Sequence, residues 1–416
     1  MDGQSVKVSA DRFAAIAIFY ALAVVAASRT IIAAVLPPLG RELGLSETAI
    51  GFLFTTGAFA MMTCGPFWGR LSDRYGRRPI AMLGLISLSV TNLAFMIAAD
   101  AGRDHIISVD LAFVAMVICR IFFGLGSGAT QPSGQAWLID RALPEHRMAA
   151  ISIGASAFSL GGVMGPAIGG LLAGLSLLAP FWFSSAAAAL AIAGVWAVSA
   201  PKRPIVVKGG VPLRWRDPRI LGDLIMRALM FSMFAGIQQT AGFFFQDRLH
   251  LNAQQTAQHV GIALVGMAIA SLGAQALVGR WRSATPHLLL VLSIPIGLGG
   301  YLILWAGETF WMLSLGMVAL GASFGFWGPA TAAAPAMRIS AHEQGALAGL
   351  SATASGLGFV IGPLLATAIY DLFPNAIFPA NMGLLAGMLV AILWPKKARV
   401  DQGQSSRPIL KAGLKE

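Results

Sequence analysis

The ten residues Gly69-Arg70-Leu71-Ser72-Asp73-Arg74-Tyr75-Gly76-Arg77-Arg78 form a short, charged connector between two long apolar runs. Four guanidiniums and a carboxylate cannot enter hydrocarbon cheaply, so this stretch marks a place where the chain leaves an apolar medium and turns back into it. Gly69 and Gly76 are expected to supply the tight backbone turns, because glycine adopts positive φ without steric cost. Asp73, one carboxylate among four arginines, can exchange partners as two helices move, each pairing being a charge-assisted hydrogen bond. A loop kept basic only by membrane topology is the simpler reading of the arginines taken alone.

Composition agrees with a membrane medium. With 56% hydrophobic and 11% charged residues, a chain of 416 residues cannot be a set of ordinary soluble domains. A hydrocarbon core of about 30 Å needs about 20 apolar residues per helix, with every backbone polar group satisfied inside it. Twelve stretches meet that length: about 13–37, 48–68, 79–98, 109–135, 148–172 and 177–199, then 219–245, 257–279, 286–306, 309–333, 344–367 and 375–394. If the N-terminus is cytoplasmic, 23 of the 29 Lys and Arg residues fall in cytoplasmic loops and tails. Arg41, Arg103 and Arg248 fall in outer loops, while Arg29, Arg120 and Arg227 fall inside spans. That asymmetry predicts a multi-pass protein of the cell inner (cytoplasmic) membrane with both termini cytoplasmic. It also explains the net charge of +11 without nucleic acid. No small-residue cleavage site follows Arg12, so the first apolar stretch is read as a retained helix. Cys64 and Cys119 lie in apolar runs and read as buried, inert thiols.

A polar connection at 201–217 divides a first six-helix bundle, 1–200, from a second, 218–395; the basic tail, 396–416, is expected to be disordered and to rest on anionic lipid. An internal repeat supports the division. Arg141, Gly161, Gly165 and Pro166 recur as Arg338, Gly358, Gly362 and Pro363 at an offset of 197, and Gly124 and Gly128 recur as Gly321 and Gly325. Two related halves with a site between them follow. The charged connector is poorly repeated, since Gly279-Arg280-Trp281-Arg282 lacks a carboxylate.

Gly69, Leu71, Asp73, Arg74, Gly76, Arg77 and Arg78 match, in spacing, the signature loop of the major facilitator superfamily, and the chain resembles that family. Arg120 followed by Gly124 and Gly128 resembles its second motif, and Gly161, Gly165, Pro166, Gly169 and Gly170 resemble the motif of the drug and metabolite antiporter branch. The resemblance implies an all-α membrane fold of twelve helices in two pseudo-symmetric bundles, working as a monomer by alternating access and exchanging protons for substrate. It implies that Arg120 tunes proton coupling. Asp140 and Glu145, beside Arg141 and Arg147, are read as partners of the 69–78 connector.

Ionisable groups at membrane depth are functional candidates by default. Arg29 lies about 16 residues, or ~24 Å, from the cytoplasmic start of its helix, too deep to reach that side; snorkelling outward is the alternative. Arg120, Gly124 and Gly128 repeat every four residues, so the arginine shares a face with notches for a neighbouring helix, beside a polar stripe of Ser127, Gln131 and Gln135. Gly161, Gly165 and Gly169 likewise share one face, and Pro166 removes a backbone donor there. In the seventh span, Asp223, Arg227, Phe231, Phe234 and Gln238 make a continuous face, with Asp223 and Arg227 spaced to pair at i,i+4. Aromatic walls beside Gln238 and Gln239 suit an amphipathic ligand, although single phenylalanines also face lipid ordinarily. Arg29, Gln131, Phe231, Phe234 and Gln238 are therefore the candidate substrate contacts.

No carboxylate falls near the middle of a predicted span, and the six histidines fall in loops or at helix ends. A membrane enzyme would need a nucleophile and base, or metal ligands, together at depth, and no metal or other cofactor is expected. No Gly-x-x-x-x-Gly-Lys-Ser/Thr loop is present, which favours gradient-driven over ATP-driven transport. The reading is proton-linked export of a small amphipathic or anionic compound. Uptake of an organic anion is the rival, suggested by Arg29 and Arg120.

Overall fold

The computed structural model describes residues 2–143, 146–198, 213–281 and 283–393. Residues 201–212 of the expected linker, Glu145, Arg282 and the tail 396–416 lie outside the described residues. The helices are α1 (Asp2–Glu42), α2 (Glu47–Tyr75), α3 (Arg77–Arg103), α4 (Val109–Ser127), α5 (Thr130–Arg141), α6 (Arg147–Ala173) and α7 (Ala179–Ala197). They continue as α8 (Leu221–Leu249), α9 (Ala253–Arg280), α10 (Pro286–Ala306), α11 (Phe310–Ala336), α12 (Gln344–Leu372) and α13 (Ile377–Leu393). Helices α4 and α5 form one span, Val109–Arg141; among the described residues eleven such spans are long and apolar enough to cross a membrane, the shorter apolar α13 makes the twelfth, and the chain is a multi-pass membrane protein.

Local chemistry sets the ends. The Ser46, Ser108, Thr285 and Thr309 hydroxyls each accept a hydrogen bond from the backbone N–H three residues on, and Asn252 and Gln255 form a reciprocal capping box. The fourth span was expected to be continuous but breaks at Gly128 and Ala129. Pro132 has no N–H to offer the Gly128 carbonyl, and the Ser127 and Ser133 hydroxyls bond back to the Phe123 and Ala129 carbonyls. Pro329 occupies the equivalent place, at the same offset of 197, in α11, which stays continuous.

The charged connector is less of a loop than its composition suggests. Helix α2 runs through Tyr75 and α3 begins at Arg77, leaving Gly76 alone outside helix, with φ 99°. Gly69 therefore makes no turn; it sits inside α2 with open space beside it. Arginine and leucine are good helix formers, and reaching the membrane surface does not oblige a helix to end.

The repeat is a packing repeat. Helix α1 packs on α6 as α8 packs on α12, and α2 on α4 as α9 on α11. Gly161, Gly165 and Gly169 press against Ala26, Ala27 and Ile31 of α1, as Gly358 and Gly362 press against Phe231 and Ser232 of α8. Gly124 meets Ala60 of α2, and Gly321 meets Met267 of α9. A Cβ at Gly165 would stand 2.6 Å from the Ala27 carbonyl oxygen, and one at Gly362 would stand 2.8 Å from Ser232 Cα. Only glycine admits the neighbouring backbone. Gly170 serves a different contact, between the halves: its Cβ would lie 2.9 Å from Gly261 Cα of α9.

The halves meet along α2 with α12, α6 with α9, and α1 with α8 and α9. Close contacts join Gly170 to Gly261, Gly51 to Thr367, Gly242 to Pro37 and, at mid-helix, Gly356 to Met62. All lie between the middle and the end that carries the turns at Gly44 and His250. Toward the other end, at Gly76, Trp281 and Arg338, seven of the ten residues 151–160 of α6 are exposed, and the buried residues of α2 stop at Ala60 apart from Ser72. The molecule is closed at the Gly44 end and its halves part toward the Gly76 end.

Candidate functional site: a cleft between charged ends

At the open end of the first half, Arg77 is the hub. It is 6% exposed, and it donates through Nε to Asp140 Oδ2 at 2.9 Å and through Nη1 to Ser72 Oγ at 2.8 Å and to Asp73. The Asp140 side chain is 5% exposed and that of Asp73 is 43% exposed. Arg78 donates to the Trp196 carbonyl, and Arg74 lies over the Tyr75 ring at 5.4 Å. The ion-pair partner of Asp73, Arg77, belongs to its own half.

The second half builds its own charged cluster around Arg338 and Arg219. Arg338 Nη1 donates to Asp223 Oδ2 at 2.5 Å and to the Arg219 carbonyl at 3.2 Å. Arg219 in turn bridges Asp217 and Glu343 at 2.8 and 2.7 Å. Its hydrogen bond, reinforced by Ser340, holds the Glu343 carboxyl down to about 2, and it lowers Asp217 in the same way. The expected Asp223–Arg227 pair does not form. Asp223 is claimed by Arg338, while Arg227 turns to the neighbouring helices, donating to the Ser351 carbonyl (3.2 Å), Ser355 Oγ (2.8 Å) and Thr331 Oγ1 (3.3 Å).

Between the ends lie the candidate substrate groups. Arg29 is half-buried in α1 with its guanidinium 5.4 Å from the centre of the Phe158 ring. Arg120, 7% exposed, donates through Nε to the Leu53 carbonyl at 3.2 Å and lies 4.7 Å over Phe123. In the second half, Phe231 packs edge-on to Phe324 at 5.1 Å and against Phe359 at 5.4 Å, and Phe234 stacks on Phe324 at 4.0 Å. Phe234 and Phe324 also wall a narrow pocket inside that half, with Met230, Met233, Met267 and Tyr301. Gln131 and Gln238 are half-buried on α5 and α8, and Gln239 is buried with its Oε1 unpartnered. Phe231 and Phe234 are brought together on Phe324, and Phe324 and Phe359 join the aromatic group from helices whose sequences did not single them out.

The closed end holds a clasp that sequence reasoning missed. Arg41 donates to Glu47 at 2.6 Å, to both oxygens of Asp247 at 2.5 and 3.0 Å, and to Gln246 at 3.3 Å, and it lies 4.9 Å over Phe243. Tyr370 donates to Asp247 at 2.7 Å, and Thr48 to Asp371 at 2.7 Å. Helices α1 and α2 of one half are thereby tied to α8 and α12 of the other. Arg41 and Asp247 lie 206 residues apart; their only sequence signal was membership of the sparsely charged outer ends.

Residues 18–304 match the Major Facilitator Superfamily. Multidrug resistance protein 1 of Bacillus subtilis (strain 168) is 26% identical over 381 residues, covering 88% of this chain and 92% of that protein. Quinolone resistance protein NorA of Staphylococcus aureus (strain COL) is 24% identical over 369 residues, covering 86% and 90%. A solved bacterial homologue of the human lysosomal transporter Spinster, in an inward-facing and unoccupied conformation, superposes with a TM-score of 0.71 at 19% identity, covering 92% of this chain and 89% of that one. Twelve apolar spans in two repeated halves, the Arg77-centred turn and a family match over most of the chain agree: the protein is a membrane transporter, not an enzyme, and belongs to the major facilitator superfamily.

Proposed function

We propose that this transporter carries a small amphipathic or anionic compound out of the cell in exchange for protons. The observation that carries this reading is that the halves are clasped at one end and parted at the other, with Arg29 and Arg120 in spans of one half and the Phe231 aromatic group in the other. The excess of basic residues in the connections at the parted end supports a cytoplasmic placement of that end and of both termini, in the inner membrane of the cell. In that orientation the cleft faces the compartment from which an exporter must load. Alternating access then consists of closing the Arg77 and Arg338 end while the Arg41 clasp releases. Resemblance to two drug-resistance proteins supports export, and the motif position of Arg120 supports a role in proton coupling. The division at 201–217 separates the two moving bundles, and one chain contains both halves of the cleft, so a monomer suffices.

The test uses proteoliposomes or everted vesicles with an imposed pH gradient and a fluorescent lipophilic dye or a quinolone as cargo. Accumulation that collapses with the gradient, and that Arg120→Gln uncouples from it, is expected. Transport that ignores the gradient, or Arg120→Gln protein with full gradient-driven accumulation, would refute the coupling assignment.

A further inference from the structure

Arg227 lies six residues, or ~9 Å, past the start of α8 at Leu221, near enough to the parted end for an arginine to reach water there. Its guanidinium is held inside the second half instead. The carboxylate one turn earlier, Asp223, belongs to Arg338, and no carboxylate pairs with Arg227 among the described residues. Three neutral oxygens hold it: Nε donates to the Ser351 carbonyl and Ser355 Oγ, and Nη1 to Thr331 Oγ1. Nη2 has no acceptor among the described residues and is not enclosed by protein. Neutral partners satisfy some of the five donors but leave the charge itself uncompensated, a cost that an anion removes.

Direct contacts fix what adjoins this cation. The guanidinium lies over the Phe231 ring at 5.2 Å, Phe231 meets Phe324 edge-on at 5.1 Å and Phe359 at 5.4 Å, and Phe324 stacks on Phe234. Helices α8, α11 and α12 thus join one cation and four rings in a connected cluster, each member half-buried. The cluster borders the other half. The Val360 carbonyl, beside Phe359, accepts from the Thr55 hydroxyl at 2.9 Å, and Gly356, beside Ser355, meets Met62. Ser351 and Ser355 precede both contacts along α12, on the side of Arg338, where the halves part. We infer that Arg227 binds the carboxylate of an amphipathic aromatic acid whose ring adds to the Phe231–Phe359 group. This rests on the proposed export of small compounds and narrows its substrate class. One guanidinium with part of its fork already engaged suits a monoanion better than a dianion such as phosphate, and rings that meet edge-to-face suit a further aromatic body.

The experiment measures equilibrium binding of 1-naphthoate and its neutral isostere 1-naphthamide to the full-length protein in nanodiscs. Wild type should prefer the acid by about tenfold or more, the scale of a hydrogen bond to a charged group. Arg227→Gln should bring the two affinities within about twofold by weakening the acid and sparing the amide. Arg227→Lys should fall between, because a point charge cannot reproduce the planar fork, and it keeps the test decisive where Arg227→Gln does not fold. Phe359→Leu should weaken acid and amide together by roughly two- to tenfold, the worth of one aromatic pair, and leave their ratio unchanged. Equal wild-type affinities, an acid preference unchanged in the Arg227 variants, equal losses of acid and amide in Arg227→Gln, or undiminished binding of both ligands to Phe359→Leu would overturn the assignment. Binding needs no pH gradient. An Arg227-dependent acid preference beside absent gradient-driven transport would refute only the export reading, and gradient-driven transport of neutral cargo without the preference would refute only this site.

Discussion

Arg77 holds two carboxylates and a hydroxyl from an almost fully buried position, whereas Asp73 is reached by solvent. Their substitutions should therefore differ. Removing Arg77 strands Asp140, whose side chain is 5% exposed, and breaking a buried pair from one side costs about 3–5 kcal/mol. Asp73→Asn leaves Arg77 bound to Asp140 and Ser72 and should change stability by less than about 1 kcal/mol. Thermal unfolding in detergent should show Arg77→Gln much less stable than Asp73→Asn. Transport should fall severely in both if Asp73 acts in the conformation closed at this end; Asp73→Asn transport near wild type would remove it from the mechanism.

At the scale of helices, the halves are built from glycine faces, and the faces can be told apart by what stands opposite. Gly165 faces the Ala27 backbone at a distance no Cβ tolerates, while Gly162, three residues earlier on the same helix, has open space. Gly165→Ala must push α1 away and should cost roughly 1–3 kcal/mol, the usual range for overpacking. Gly162→Ala should be neutral or stabilising by up to about 1 kcal/mol, since alanine favours helix. Melting temperatures of the two variants decide this; equal values would mean the α1–α6 contact is looser than the geometry indicates. The same logic places Gly362 with Gly165 and makes the 197-residue repeat a repeat of contacts as well as letters.

For the whole molecule the governing quantity is the balance between the conformation closed at the Gly44 end and its alternative. The Arg41 clasp joins the halves through partly exposed groups, Arg41 at 21% and Asp247 at 44%, so solvent screens it and its worth is about 1 kcal/mol or less. That is still enough to shift a two-state population several-fold. Arg41→Gln should accordingly increase the population opened at this end, read as longer distances between spin labels at Leu45 and Phe373. An unchanged distance distribution would show that close packing at Gly51, Gly170 and Gly261 holds the end shut without the clasp.

The apolar spans and the glycine faces could be read from the chain alone, because hydrocarbon thickness and helical period act on every stretch of sequence independently. The charge asymmetry was legible for the same reason. Local spacing misled where a distant partner competed. Asp223 and Arg227 were correctly spaced to pair, yet Arg338 and the hydroxyls of α11 and α12 took them apart. Gly69 and Gly76 looked alike, and only the backbone shows that one is helical and the other has positive φ. The arrival of Phe324 and Phe359 beside Phe231 and the Arg41–Asp247 clasp were decided by tertiary structure alone. Those contacts join helices far apart in sequence: the aromatic group depends on how helices pack within the second half and the clasp on how the two halves meet, properties no single segment encodes.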